Sequence, residues 1–196
     1  MAAVTSHLQN TSCLTNAHPM PQGNKMDIRL FPPSHDRVKI NFNGSVRSNS
    51  AAGGFIIRTE TGKSLAAACF NLGTTTVPVA EAIALRNSLI YAKNQGLSKI
   101  EVEGDSKLVI DVVNGVSSPP WKLLKLVQDI KALSSSFEFV KFKYVFREAN
   151  FVANALANLG HMVDNMNLWE ECVPPEVSSA LIFYVVNIGC VRNTSI

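Results

Sequence analysis

Apolar and polar residues alternate along Val38-Lys39-Ile40-Asn41-Phe42-Asn43, the period of a strand with one face turned to a core. Gly44-Ser45 is read as the break after it. Gly53-Gly54-Phe55-Ile56-Ile57-Arg58 follows as a second strand, and Thr61-Gly62-Lys63 turns the chain into a third, Leu65 to Phe70. The period then changes. Thr76-Val77-Pro78 offers a cap and an early proline, and Ile83, Leu85, Leu89, Ile90 and Ala92 with Ala80 and Ala84 predict an apolar helix stripe ending near Gly96. Lys99 to Glu103 reads as a fourth strand, and Gly104-Asp105-Ser106 leads into a short helix ending near Gly115. Beyond Pro119-Pro120 come a helix from Trp121 to Leu133, a fifth alternating strand from Phe137 to Phe146, and a last helix from Asn150 to Leu159. This order predicts an α/β domain with a mixed five-stranded sheet, three antiparallel strands then two further strands, covered by helices.

Residues 1–36 are rich in Ser, Thr, Asn, His and Pro without an apolar period, so a flexible leader is expected there. The domain is placed at 37–163 and a C-terminal trailer at 164–196. The composition, 46% hydrophobic and 17% charged, is globular, and a formal net charge of +3 is too small for a polybasic arm. Cys13, Cys69, Cys172 and Cys190 show neither a Cys-x-x-Cys pair nor zinc spacing and are read as free thiols. No apolar stretch follows Met1, so no secretory signal is expected, and an intracellular location, nuclear or cytoplasmic, agrees with dispersed thiols. The apolar run Ala180 to Val191 is broken by Asn187 and Gly189 and falls short of the roughly 20 residues of a spanning helix, so no membrane is expected.

Taken singly, the polar residues at the element ends have ordinary readings. Glu81 at a helix start favours the helix dipole, Asp105 suits a cap, and Asn43 before Gly44 suits a turn. Asn154 reads as a solvent-facing helix residue. Arg47, Lys107, Lys122 and Lys125 are potential phosphate contacts, with a solvated face as the simpler role.

Four stretches change this picture together. Phe42-Asn43-Gly44-Ser45, Ala80-Glu81-Ala82-Ile83-Ala84-Leu85, Glu103-Gly104-Asp105-Ser106, and Arg147 through Ala157 resemble, in order and on the expected elements, ribonuclease H type 1. The likeness is strongest to the reverse-transcriptase-like branch, abundant in plants and related to retrotransposon sequence. It runs from about Phe31 to Val185, including Trp169 and Pro174-Pro175.

The resemblance implies a ribonuclease-H-like fold in which carboxylates at four positions bind two Mg²⁺ ions that cleave the RNA strand of an RNA–DNA hybrid. Glu81 and Asp105 occupy the second and third positions, but Asn43 and Asn154 stand where the first and fourth aspartates belong. Two amides leave roughly −2 to face +4 from two ions. The family's usual histidine near the end of the fifth strand is missing, and the local residue is Tyr144. The resemblance also brings Gly44 and Ser45 close to the RNA strand, where 2′-hydroxyls mark RNA.

The expectation is a monomeric hybrid-binding domain with weak or lost nuclease activity and a single weakly held Mg²⁺ at Glu81 and Asp105. Two alternatives stand beside it. One is a working hybrid ribonuclease that uses Asn43 and Asn154 as neutral ligands with help from Glu103, and the other is a scaffold for a protein partner.

Overall fold

The computed structural model describes residues 25–28, 31–185 and 190–193, with side-chain surroundings given over 31–181. Strand β1 (Lys25–Ile28) pairs only with β8 (Cys190–Asn193), antiparallel, in a separate two-stranded ladder. The main sheet contains β2 (Val38–Arg47), β3 (Ser50–Arg58), β4 (Ser64–Gly73), β5 (Lys99–Gly104), β6 (Phe139–Tyr144) and β7 (Met166–Glu170), in the order β6-β5-β2-β3-β4-β7. β2, β3, β4 and β7 pair antiparallel, whereas β5 runs parallel to both β2 and β6. Helix α1 (Val77–Asn94), α2 (Lys107–Val113) and α3 (Leu124–Ser134) cover one face, and α4 (Phe151–Leu159) with α5 (Pro175–Val185) covers the other.

The sheet has six strands rather than the expected five. The extra one, β7, pairs Ala66–Phe70 with Glu170–Met166, and Val177 of α5 is fully buried against Ile56, Val152 and Leu156. Residues read as a trailer therefore complete the sheet and its second core. The leader also ends earlier than 36, because Ser34 hydrogen-bonds Glu101 through both its amide and its hydroxyl, and the Phe31 carbonyl accepts from Lys39. A polar, proline-rich stretch gave no periodicity signal for such contacts. Residues 1–24 of the leader, with Cys13, lie outside the described residues, as does the side chain of Cys190. Cys69 and Cys172 are free. No helix among the described residues is long and apolar enough to cross a membrane.

β2 does not stop at Gly44-Ser45 but continues to Arg47, where Ser48 at φ 50° turns the hairpin into β3. Even-numbered Ile40 and Phe42 enter the core beneath α1, while Lys39, Asn41 and Asn43 point to the α4 side. α1 presents Ala80, Ala84, Leu85, Ser88, Leu89 and Ala92 to the sheet; Ile90, expected in that stripe, is 39% exposed. Small residues dominate this contact because the backbones approach closely. A Cβ at Gly44 would lie 2.4 Å from the Glu81 backbone nitrogen, and one at Gly54 would lie 2.5 Å from that of Ala157.

Gly54→Ala is thus expected to push α4 off β3, costing at least about 1–3 kcal/mol of overpacking strain. Urea unfolding at neutral pH measures it. An unchanged midpoint would show that α4 can shift freely.

Candidate active site

Parallel β2 and β5 bring their carboxyl ends to the same edge of the sheet, pairing Phe42 with Gly104. Asn43 and Asp105 therefore emerge side by side, one residue beyond that pair. α1 begins at the same edge, and Gly44 lets its first turns press onto β2, which carries the Glu81 carboxyl to the floor. On the opposite face, a 3-10 turn over Arg147–Ala149 opens into α4 and delivers Arg147 and Asn154. Together these residues line a cleft of about 340 Å³ with Ser45, Ser106 and Val77 at its margins. All four positions expected to carry the metal ligands converge in it.

The chemistry of those four positions divides in two. Glu81 is buried, 4% exposed, with the Gly44 amide donating to it and its Oε2 atom without a partner. Burial first, then the nearby Asp105 charge, pushes its carboxyl well above the usual carboxylate range. Asp105 accepts a 2.8 Å hydrogen bond from Asn150 Nδ2, and that nitrogen also donates to the Phe42 carbonyl at 2.8 Å. Asn43 and Asn154 satisfy each other instead: Asn43 Nδ2 donates to Asn154 Oδ1 at 3.0 Å, and Arg147 Nη2 reaches the same oxygen at 3.4 Å. Asn43 thus lies within a strand rather than in a turn, and Asn154 faces the cleft rather than solvent alone.

The donor set decides what this cleft can hold. Among the described residues no group of three or more His, Cys, Asp or Glu side chains could hold a metal ion. Two amides locked in a mutual hydrogen bond contribute no charge, so the residues do not fit a pair of divalent ions. The charged oxygens the cleft offers a hard cation are those of Glu81, one of them unpartnered, and of nearby Asp105. Glu103 is not positioned to make up the deficit. Its Oε1 binds the Lys39 ammonium at 2.7 Å, both side chains being buried, and its Oε2 faces Asn41 Nδ2 at 3.5 Å.

A buried polar chain supports the cleft from behind. Asn41 accepts from Arg58 Nη2 at 2.8 Å and donates to Asn150 Oδ1 at 3.2 Å, so Asn150 is fixed at its oxygen while its nitrogen holds Asp105. Sequence reading did not single out Arg147, Asn150 or His161 as site residues. His161 bridges the hairpin, with Nε2 3.0 Å from Ser45 Oγ and Nδ1 2.8 Å from Ser50 Oγ. Since Ser45 Oγ donates to Asn158 Oδ1 at 3.1 Å, it must accept from His161 Nε2–H, and Nδ1 then accepts from Ser50. Burial and the Arg47 charge lower the His161 pKa and favour that neutral ring. The Ser45 hydroxyl is therefore committed within the protein. Lys107 and Lys125 pair with Asp111 and Asp129 on their own helices, Lys122 lies over the Trp121 ring, and Tyr144 stacks edge-on against Phe146.

The raised Glu81 pKa carries a sign for stability. The folded state binds its proton more tightly than the unfolded chain, so this contribution is full below pH 4.5 and is lost as pH rises through the higher folded value. Without divalent ions, Glu81→Gln should abolish that fall and be the more stable protein at pH 7. Thermal melts from pH 4 upward test it. Parallel profiles for the two proteins would contradict the assignment.

Residues 41–160 match the reverse transcriptase-like family model. A protein of Arabidopsis thaliana that bears the name of a ribonuclease H protein is 28% identical over 146 residues; the match takes in 74% of this chain and only 24% of that relative. Among solved structures, ribonuclease H1 of the halophilic archaeon Halobacterium salinarum is 31% identical with TM-score 0.61, covering 63% of this chain and 96% of its own. The N-terminal ribonuclease H domain of a Mycobacterium tuberculosis protein, solved as a fusion with maltose-binding protein, is 32% identical with TM-score 0.62, covering 64% and 94%. A ribonuclease H1 isolated from compost and solved in complex with an RNA/DNA hybrid is 26% identical with TM-score 0.60, covering 64% and 96%. The strand order, the four converging positions and these likenesses agree: the chain belongs to the reverse transcriptase-like family and carries a type 1 ribonuclease H domain.

Proposed function

We propose that this domain binds RNA–DNA hybrids and has lost the two-metal cleavage of its fold. The observation that carries the reading is the hydrogen bond between Asn43 and Asn154, at the two positions where the family resemblance places aspartates. An amide pair satisfies itself without an ion, whereas two carboxylates at that separation repel unless a cation lies between them. A bound Mg²⁺ would supply Lewis-acid activation of water and charge stabilisation at phosphate. Glu81 and Asp105 would be its charged ligands, and a single ion is the most they support. Gly44 lines the cleft and lets α1 press close to β2, and the family resemblance is what brings its backbone and that of Ser45 to an RNA strand.

The reading extends to a chain acting as a monomer in an intracellular compartment, with no membrane partner. Fluorescence anisotropy with labelled hybrid, double-stranded DNA and double-stranded RNA of one length tests the binding. The hybrid should bind most tightly and remain intact. Equal affinity for all three would mean charge attraction alone, and binding to none of them would favour a protein-binding scaffold.

A further inference from the structure

We propose that Arg147 and Asn154 form a phosphodiester-binding pair that lets the cleft hold nucleic acid without a divalent ion. This rests on the cleft being the nucleic-acid groove, and it concerns how that groove manages charge. A site of four carboxylates needs cations before a phosphate can enter. Here the negative charge at the mouth is reduced: Glu81 is 4% exposed beneath Gly44 with the Arg147 charge nearby, and half-buried Asp105 has its Oδ1 held by Asn150. Of the charged residues lining the cleft, Glu81 is buried, Asp105 half-buried and Arg147 exposed.

Its surroundings suit an anion. Arg147 makes no ion pair among the described residues, and its one hydrogen bond, Nη2 to Asn154 Oδ1 at 3.4 Å, orients the guanidinium and leaves its other N–H donors unpartnered. A planar fork of donors matches two phosphate oxygens. Asn154 adds what an aspartate could not. Its Oδ1 accepts from both Asn43 and Arg147, so its Nδ2 is a further N–H donor at the cleft without a partner among the described residues. An aspartate at 154 would instead present only acceptors and would pair with Arg147. The replacement at 154 thus removes an ion ligand and adds a phosphate donor in the same place.

Hybrid affinity in EDTA and in Mg²⁺ at matched ionic strength tests this with the whole chain. The unmodified protein should bind equally well in both. Arg147→Gln should weaken binding about 10-fold in EDTA, as expected for a hydrogen bond to a charged group, and lower the salt slope by about one. Arg147→Lys should restore part of the affinity. Asn154→Asp should bind poorly in EDTA and recover with Mg²⁺, a change no general loss of structure produces. Lys93→Gln, an exposed charge at the far end of α1, should match the unmodified protein. A requirement for Mg²⁺ in the unmodified protein, or full affinity in Arg147→Gln, overturns the pair but leaves hybrid binding standing. No hybrid binding in either buffer overturns both.

Discussion

Changing Asn43 and Asn154 together to aspartate is expected to convert the domain into a Mg²⁺-binding nuclease. The backbone geometry is in place: β2, α1, β5 and α4 already deliver all four positions to one cleft, and only charge is missing at two of them. Disturbing even a ligand's supporting partner commonly costs about 10- to 100-fold in affinity or activity, so restoring two ligands should raise both by at least about 100-fold. Each single change should give much less, since the residues act as a unit and their effects couple. Asn154→Asp alone would be neutralised in part by Arg147. In metal-free buffer the double mutant should melt lower than the parent, and Mg²⁺ should restore it by binding the native state. Calorimetric Mg²⁺ titration and hybrid cleavage measure the gain. A double mutant that neither binds Mg²⁺ more tightly nor cuts would show that the groove itself has changed.

The second large effect concerns the strut behind the cleft. Lys39→Met should cost about 3–5 kcal/mol, the usual result of leaving a buried carboxylate without its partner. Lys39 and Glu103 have side chains 2% and 9% exposed and meet at 2.7 Å, so little solvent screens the pair. The loss should extend to the cleft, because Glu103 also faces Asn41, which positions Asn150 and through it Asp105. Lys39→Met combined with Glu103→Leu should recover much of the stability, since two apolar groups leave no unpaired charge. Urea unfolding at pH 7 reads both values. A cost below about 1 kcal/mol for Lys39→Met would place the pair with ordinary surface ion pairs.

The periodicity of the chain made most of the fold legible. Alternation from Val38 onward located β2, and the shift to helical spacing after Pro78 located α1 within a residue or two of its ends. β7 was missed because Met166–Glu170 is a strand at the sheet's rim whose residues are mostly exposed, so it carries no buried alternation. The run of β2 through Gly44-Ser45 was missed for a different reason. Glycine there serves close approach to α1 rather than a turn, and only the neighbouring backbone reveals this.

Motif order grouped Asn43, Glu81, Asp105 and Asn154, and these four residues line one cleft. What no sequence pattern supplied was how the odd-numbered polar residues of β2 are used. Lys39, Asn41 and Asn43 alternate as an exposed strand face would, yet all three are buried, Lys39 and Asn41 in a polar chain through Glu103 to Asn150 and Asn43 in a separate pair with Asn154. Alternation separates two faces of a strand and cannot tell a face that meets water from one that meets a covered polar network. Arg147 opens the fourth motif, but its contact with Asn154, seven residues away and one turn into α4, is visible only in the fold.

The most direct measurement is single-turnover cleavage of an RNA–DNA hybrid by the unmodified protein, in excess over substrate and at saturating Mg²⁺. The hybrid should be bound and remain uncut over a time in which a ribonuclease H with four carboxylates consumes it. Cleavage at a comparable rate, abolished by Asp105→Asn, would contradict the loss of two-metal chemistry and show that Asn43 and Asn154 serve as ligands after all.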